Sequence, residues 1–109
     1  MDIVVPEAAT AIAVLLHPHP AMGGDRFNHV VSALFARLPR QGIGAVRFDF
    51  TSADLDQAVA EATASIDAVE EWSLPIVLVG YSFGALVAAH IADPRIRGWF
   101  LVALPADRV

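Results

Sequence analysis

The residues best suited to chemistry in this chain are Gly80-Tyr81-Ser82-Phe83-Gly84. A serine hydroxyl is a weak nucleophile in water and needs both a base and a raised position to act as one. A sharp turn from a strand into a helix gives the position. It lifts Oγ clear of the sheet, strains the backbone at the serine and crowds its neighbours. Glycines two residues before and two after relieve that crowding. The flanking sequence supplies this context: the apolar run Ile76–Val79 precedes the motif, and Ala85–Ile91 continues it at helical length. The helix N-terminus then faces the serine, where the Phe83 N–H can stabilise an oxyanion. The competing reading is a tight glycine turn with a helix-capping serine. The strand before and the helix after favour the nucleophile.

A second feature is His17-Pro18-His19-Pro20, followed by Gly23-Gly24. An acyl-transfer site needs a further backbone N–H from a neighbouring loop. Proline has none, so Pro18 and Pro20 are excluded and the donor is His19, Ala21 or a neighbour. Residue types alone leave His19 and Ala21 both open. His17 reads as a histidine that shapes the loop by bonding to backbone, in preference to a general base. A metal site on His17 and His19 needs at least three ligands. His29 lies in a helix and no acidic ligand is evident, so neither a metal nor a cofactor is expected. His90 is eight residues beyond Ser82, about 12 Å along a helix axis, and reads as a partly buried structural histidine. Asp49 reads as an ion-pair partner of Arg47 or a loop cap.

These residues must be positioned by a regular framework, and the chain alternates short apolar runs with amphipathic stretches. Ala11–Leu16 is continuously apolar, as expected of a strand covered on both faces. Ile3–Val5, Ile43–Phe50, Ile76–Val79 and Ile96–Leu104 read as further strands. Phe27, Val30, Val31, Leu34, Phe35 and Leu38 share one helical face, with Asp25 as the expected N-cap. Leu55, Val59, Ala62, Ile66 and Val69 mark a second helix, started by Asp54 and Gln57 at capping-box spacing. Strands alternating with helices imply parallel pairing. The ligand site then lies outside the carboxyl ends of the strands, where His17, Asp49 and Ser82 fall.

Composition bounds the partners. The 109 residues make one domain, 56% hydrophobic and only 17% charged, against about 45–50% and about 25% in ordinary globular chains. Such an apolar excess implies a sheet buried on both faces, or an apolar surface that meets a missing segment or another copy. The net charge of −5 comes with no basic run, so nucleic acid is not an expected partner. Cysteine is absent, which removes disulfides and thiolate sites. No apolar run approaches the roughly 20 residues of a membrane span, and the N-terminus lacks a signal-peptide pattern. A cytoplasmic location is the expectation.

The ordered set of motifs resembles a group of small serine esterases of the α/β-hydrolase superfamily. Ala13-Val14-Leu15-Leu16-His17-Pro18-His19-Pro20 with Gly23-Gly24 is similar to the group's oxyanion loop. Asn28, Val30-Val31 and Arg47-Phe48-Asp49-Phe50 fit the same group, and Val79–Ala85 looks like its nucleophile elbow. The resemblance runs from about Ala11 to Leu104. It implies an α/β fold with a partly parallel open sheet and helices on both faces, truncated after the sixth strand. The activity implied is hydrolysis of carboxylic esters or related acyl compounds through an acyl-enzyme on Ser82. Phe83 with His19 or Ala21 would form the oxyanion hole. Two departures accompany it. Thr51-Ser52-Ala53-Asp54 stands where the group carries Arg-Gly, which alters the pocket edge. The group's acid and base histidine follow later strands, whereas here only Asp107 remains as a candidate acid and no base follows it. The alternative is a non-catalytic module that binds a partner or self-associates through its apolar sheet.

Overall fold

The computed structural model describes residues 1–105. Five strands form one sheet in the order β1-β3-β2-β4-β5: β1 (Asp2–Val4), β2 (Ala11–Leu16), β3 (Ile43–Arg47), β4 (Ile76–Tyr81) and β5 (Ile96–Val102). β2 to β5 are parallel, as the alternation with helices requires, and β1 runs antiparallel along β3. β2 is central. Its residues Ile12 to Leu16 are almost fully buried, which is why the run carries no alternation.

The three helices are α1 (His29–Arg37), α2 (Leu55–Asp67) and α3 (Phe83–Ala89). One core joins Ile12, Val14 and Leu16 to Ala58, Ala62 and Ile66 of α2 and Leu86 and Val87 of α3. The other joins Ala13, Leu15 and Ala45 to Val31, Leu34 and Phe35 of α1. Successive β2 residues feed opposite cores because side chains alternate across a strand. Helices therefore cover both faces. No helix of the described residues is long and apolar enough to cross a membrane.

Boundaries differ from expectation at several elements, among them α1, β3 and β5. α1 starts at His29, because Asn28 rather than Asp25 caps it: Asn28 Oδ1 accepts from the N–H groups of Val30 (2.9 Å) and Val31 (3.3 Å). Asp25 instead closes a turn through the Phe27 N–H, and Phe27 lies outside the helix, largely exposed. β3 ends at Arg47, three residues early, where Phe48 and Phe50 turn into the core beside α2. β5 ends at Val102, where Ala103 takes a left-handed conformation with φ 55°.

Sheet growth reverses between β2 and β4. From β2 the chain adds β3 on one side, then returns to add β4 and β5 on the other. The helices that follow β2 and β4 lie on opposite faces, so their loops part at the carboxyl edge, the place where open α/β sheets hold their ligands.

Candidate active site

Two loops build the candidate site at that edge. The first leaves β4 at Tyr81 and turns through Ser82 into α3. Ser82 has φ 55° and ψ −112°, a sparsely populated conformation for a residue with a side chain, costing on the order of 1–3 kcal/mol. Its N–H donates to the Val102 carbonyl at 2.8 Å, so the end of β5 holds the turn in place. The two glycines are demanded by contact. A Cβ on Gly80 would lie 2.4 Å from the Gly84 carbonyl oxygen, and one on Gly84 would lie 2.0 Å from that of Leu16. Neither can be relieved without moving backbone, so this five-residue spacing reflects a tight strand-to-helix turn wedged against β2.

The second loop leaves β2 at His17. This side chain is 1% exposed, and both ring nitrogens are bound. Nε2 accepts the Phe50 N–H at 2.9 Å, so Nδ1 carries the proton and donates to the Pro18 carbonyl at 2.5 Å. Burial disfavours the imidazolium and pulls the pKa of His17 below its ordinary value, against an opposing effect of the Pro18 carbonyl. His17 is thus a neutral loop-shaping residue, as its position suggested. A short 3₁₀ turn, Pro20–Met22, follows. The His19 ring caps it, with Nδ1 accepting the Ala21 N–H at 3.1 Å. Of the two donors left open by sequence, Ala21 is therefore engaged inside its own loop. The His19 N–H has no hydrogen-bond partner among the described residues, while its carbonyl accepts from Met22 and Gly24.

The loops meet through an aromatic chain. The His17 ring packs edgewise on Phe50 (4.8 Å between centroids), Phe50 on Phe83 (5.4 Å) and Phe83 on His19 (5.1 Å). Ser82, Phe83 and His19 therefore share one end of the sheet. His90 is not brought there. It sits exposed at the far end of α3, with Nδ1 bonded to the Leu86 carbonyl at 2.8 Å; the expectation of partial burial fails because α3 ends one residue before it. Asp107 lies outside the described residues. Asp49 is an ion-pair partner, but of Arg26 rather than Arg47. It accepts the Arg26 N–H at 2.8 Å and pairs with that guanidinium. Partial burial works to raise the Asp49 pKa, yet the Arg26 N–H and guanidinium outweigh it and hold the carboxyl below its ordinary value. Arg47 pairs instead with Asp2 at 2.8 Å, the residue opposite it across the β1–β3 pair. Arg26 had no local signal, since it lies 23 residues from Asp49.

No protein-family model matches the chain. An uncharacterized curated protein of Rickettsia prowazekii is 26% identical over 111 residues, covering 90% of this chain and 47% of that one. Among solved structures, one from Agrobacterium tumefaciens, described as of unknown function and a candidate α/β hydrolase, superposes with a TM-score of 0.77. It is 28% identical and covers 90% of this chain and 51% of that chain. An α/β serine hydrolase homologue from Coxiella burnetii gives 0.69 at 32% identity, over 78% of this chain and 47% of that one. A lidless α/β serine hydrolase from Xanthomonas campestris gives 0.64 at 27% identity, over 79% and 46%. The fold is that of the α/β hydrolases, and the chain spans about half the length of the relatives it matches.

Proposed function

We propose that this chain carries the nucleophile half of a serine hydrolase acting on carboxylic esters or related acyl substrates. The observation that carries this reading is the backbone at Ser82: a strained turn between two glycines that contact forbids from being anything else. In the proposed reaction Ser82 Oγ attacks the acyl carbonyl carbon and gives its proton to a base. The carbonyl oxygen becomes an oxyanion, held by the N–H groups of Phe83 and His19. The alcohol departs with that proton, leaving an acyl-serine. Water then adds to it, returns the proton to Ser82 and releases the acid. Among the described residues no histidine other than His17, His19, His29 and His90 exists. His17 is committed to backbone, His19 caps its own loop through the Ala21 N–H, His29 is exposed at the start of α1, and His90 lies at the far end of α3. We therefore assign the base and its acid to residues outside the described part.

Treatment with a fluorophosphonate probe, followed by peptide mapping, tests the reading. Modification of Ser82, absent in Ser82→Ala, is the expected result. A native protein that stays unlabelled in every assembly state has no competent nucleophile here.

One observation favours a second reading, a non-catalytic module that binds through its sheet. β5 is an edge strand, and Trp99, Phe100, Leu101 and Val102 are all exposed on it. An apolar groove lined by Ile91, Trp99 and Leu101 runs beside it. Unpaired apolar edges invite strand addition. A stable monomer at high concentration, measured by light scattering, would count against this reading.

A further inference from the structure

The polypeptide from His17 to Arg26 is fastened at both ends, and the two fasteners fall on consecutive residues of one segment. At the near end the His17 ring accepts the Phe50 N–H at 2.9 Å. At the far end the Arg26 N–H donates to Asp49 Oδ1 at 2.8 Å, and the Arg26 guanidinium pairs with Oδ2. Asp49 and Phe50 are the second and third residues beyond the end of β3 at Arg47. Between the fasteners the hydrogen bonds are local: Ala21 to the His19 ring, and Met22 and Gly24 to the His19 carbonyl at 3.0 Å. Those three bonds fix the loop on itself but not on the body of the molecule.

We propose that Asp49 is a positioning residue for this loop: through Arg26 it sets the far end, and so fixes the direction in which the His19 N–H points. The proposal rests on the assignment of Ser82 as nucleophile and of His19 as oxyanion donor. A loop pinned only at His17 could pivot about that end as one unit, resisted mainly by the edgewise contact of the His19 ring with Phe83, because its hydrogen bonds are internal. With both ends held on adjacent residues, the pivot is blocked. Arg26 is held from a second side by Asp2 at 3.2 Å, so its side chain is aimed before it meets Asp49. Arg26 is 29% exposed and Asp49 43%. A pair that open contributes little to global stability, so its value lies in local order. Catalytic geometry is sensitive on that scale, where a misplacement of about 1 Å can cost about a hundredfold in rate.

The test compares Asp49→Ala, Asp49→Asn and Asp93→Ala in the full-length protein. Asp93 pairs with Arg95 at the opposite end of the sheet and controls for the mere loss of an ion pair. Two quantities are read: amide exchange at Met22 and Gly24, and the rate at which a fluorophosphonate modifies Ser82. Asp49→Ala is expected to speed exchange and to slow labelling by about tenfold each, with a Tm shift no larger than that of Asp93→Ala. Asp49→Asn keeps an oxygen for the Arg26 N–H and should recover most of both. Unchanged exchange in Asp49→Ala overturns the proposal, as does equal slowing in Asp93→Ala. If Asp49→Ala loosens Met22 and Gly24 but the native protein is never labelled, the clamp stands and the hydrolase reading falls.

Discussion

A methyl group on Gly84 would sit 2.0 Å from the carbonyl oxygen of Leu16. Gly84 lies in the first turn of α3, two residues after Ser82, and Leu16 ends the strand that leads into the His17 loop. Their contact sets the spacing between the two loops of the site. Any side chain at position 84 pushes them apart.

Gly84→Ala and Gly80→Ala should each destabilise the chain by about 3 kcal/mol or more, since the clash is with backbone and cannot be relieved by a rotamer. Gly98→Ala is the control. Its added methyl meets only Val77 side-chain carbons at 3.9 and 4.0 Å, so it should be neutral or stabilising by about 0.5–1 kcal/mol in a strand. Urea unfolding of the three variants checks the ranking, and a Gly84→Ala protein as stable as the native one would contradict the packing described.

Strain at Ser82 gives a second expectation. Ser82→Gly should raise stability by about 1 kcal/mol, the relief of an unfavourable φ exceeding the entropy cost of a new glycine. Ser82→Ala keeps the Cβ and the strain and should gain nothing. Both lose probe labelling. Equal stability of the glycine and alanine variants would show that position 82 is relaxed.

His17 predicts a pH dependence. Its folded pKa lies below the ordinary 6.5 because burial disfavours the charged ring. Between the folded value and 6.5 the unfolded chain binds more protons than the native one. Stability from this group is therefore complete above 6.5 and is lost as pH falls through the folded value. His17→Phe should abolish this slope while lowering stability by about 2 kcal/mol or more, because the Phe50 N–H loses its acceptor and the Pro18 carbonyl its donor. Urea midpoints from pH 7.5 to 5 measure it; a slope retained in His17→Phe assigns the effect elsewhere.

The β5 edge predicts association. Phe100, 61% exposed, contributes apolar surface without internal packing. Phe100→Lys should leave unfolding free energy within about 0.5 kcal/mol and reduce any concentration-dependent self-association, since edge lysines oppose strand pairing. Sedimentation over a range of concentrations reads this directly.

Much of the fold was legible because its signals are local. The continuous apolar run Ala11–Leu16 announces a strand covered on both faces, and contact with α1 on one side and with α2 and α3 on the other supplies that cover. The glycine pair around Ser82 announces its turn within five residues, where steric exclusion acts at short range along the chain. Asp54 marks the start of α2 and does cap it, through the Gln57 N–H at 2.9 Å. Boundaries were less legible at α1, where Asp25 and Asn28 are both competent caps and only the path of the chain selects one.

What tertiary structure alone decided are the pairings between distant residues. By sequence Arg47 is the near neighbour of Asp49, but β1–β3 pairing sets Arg47 against Asp2 and leaves Asp49 to Arg26, 23 residues away. Likewise the N–H groups of His19 and Ala21 look equally available in the sequence, and only the loop's curvature brings the Ala21 N–H onto the His19 ring. The sequence by itself determined that Ser82 occupies a strand-to-helix turn, because backbone sterics act over a few residues. Which groups surround that serine depended on how strands and loops far apart in the chain were packed together, and that packing is fixed by the whole core rather than by any one stretch of it.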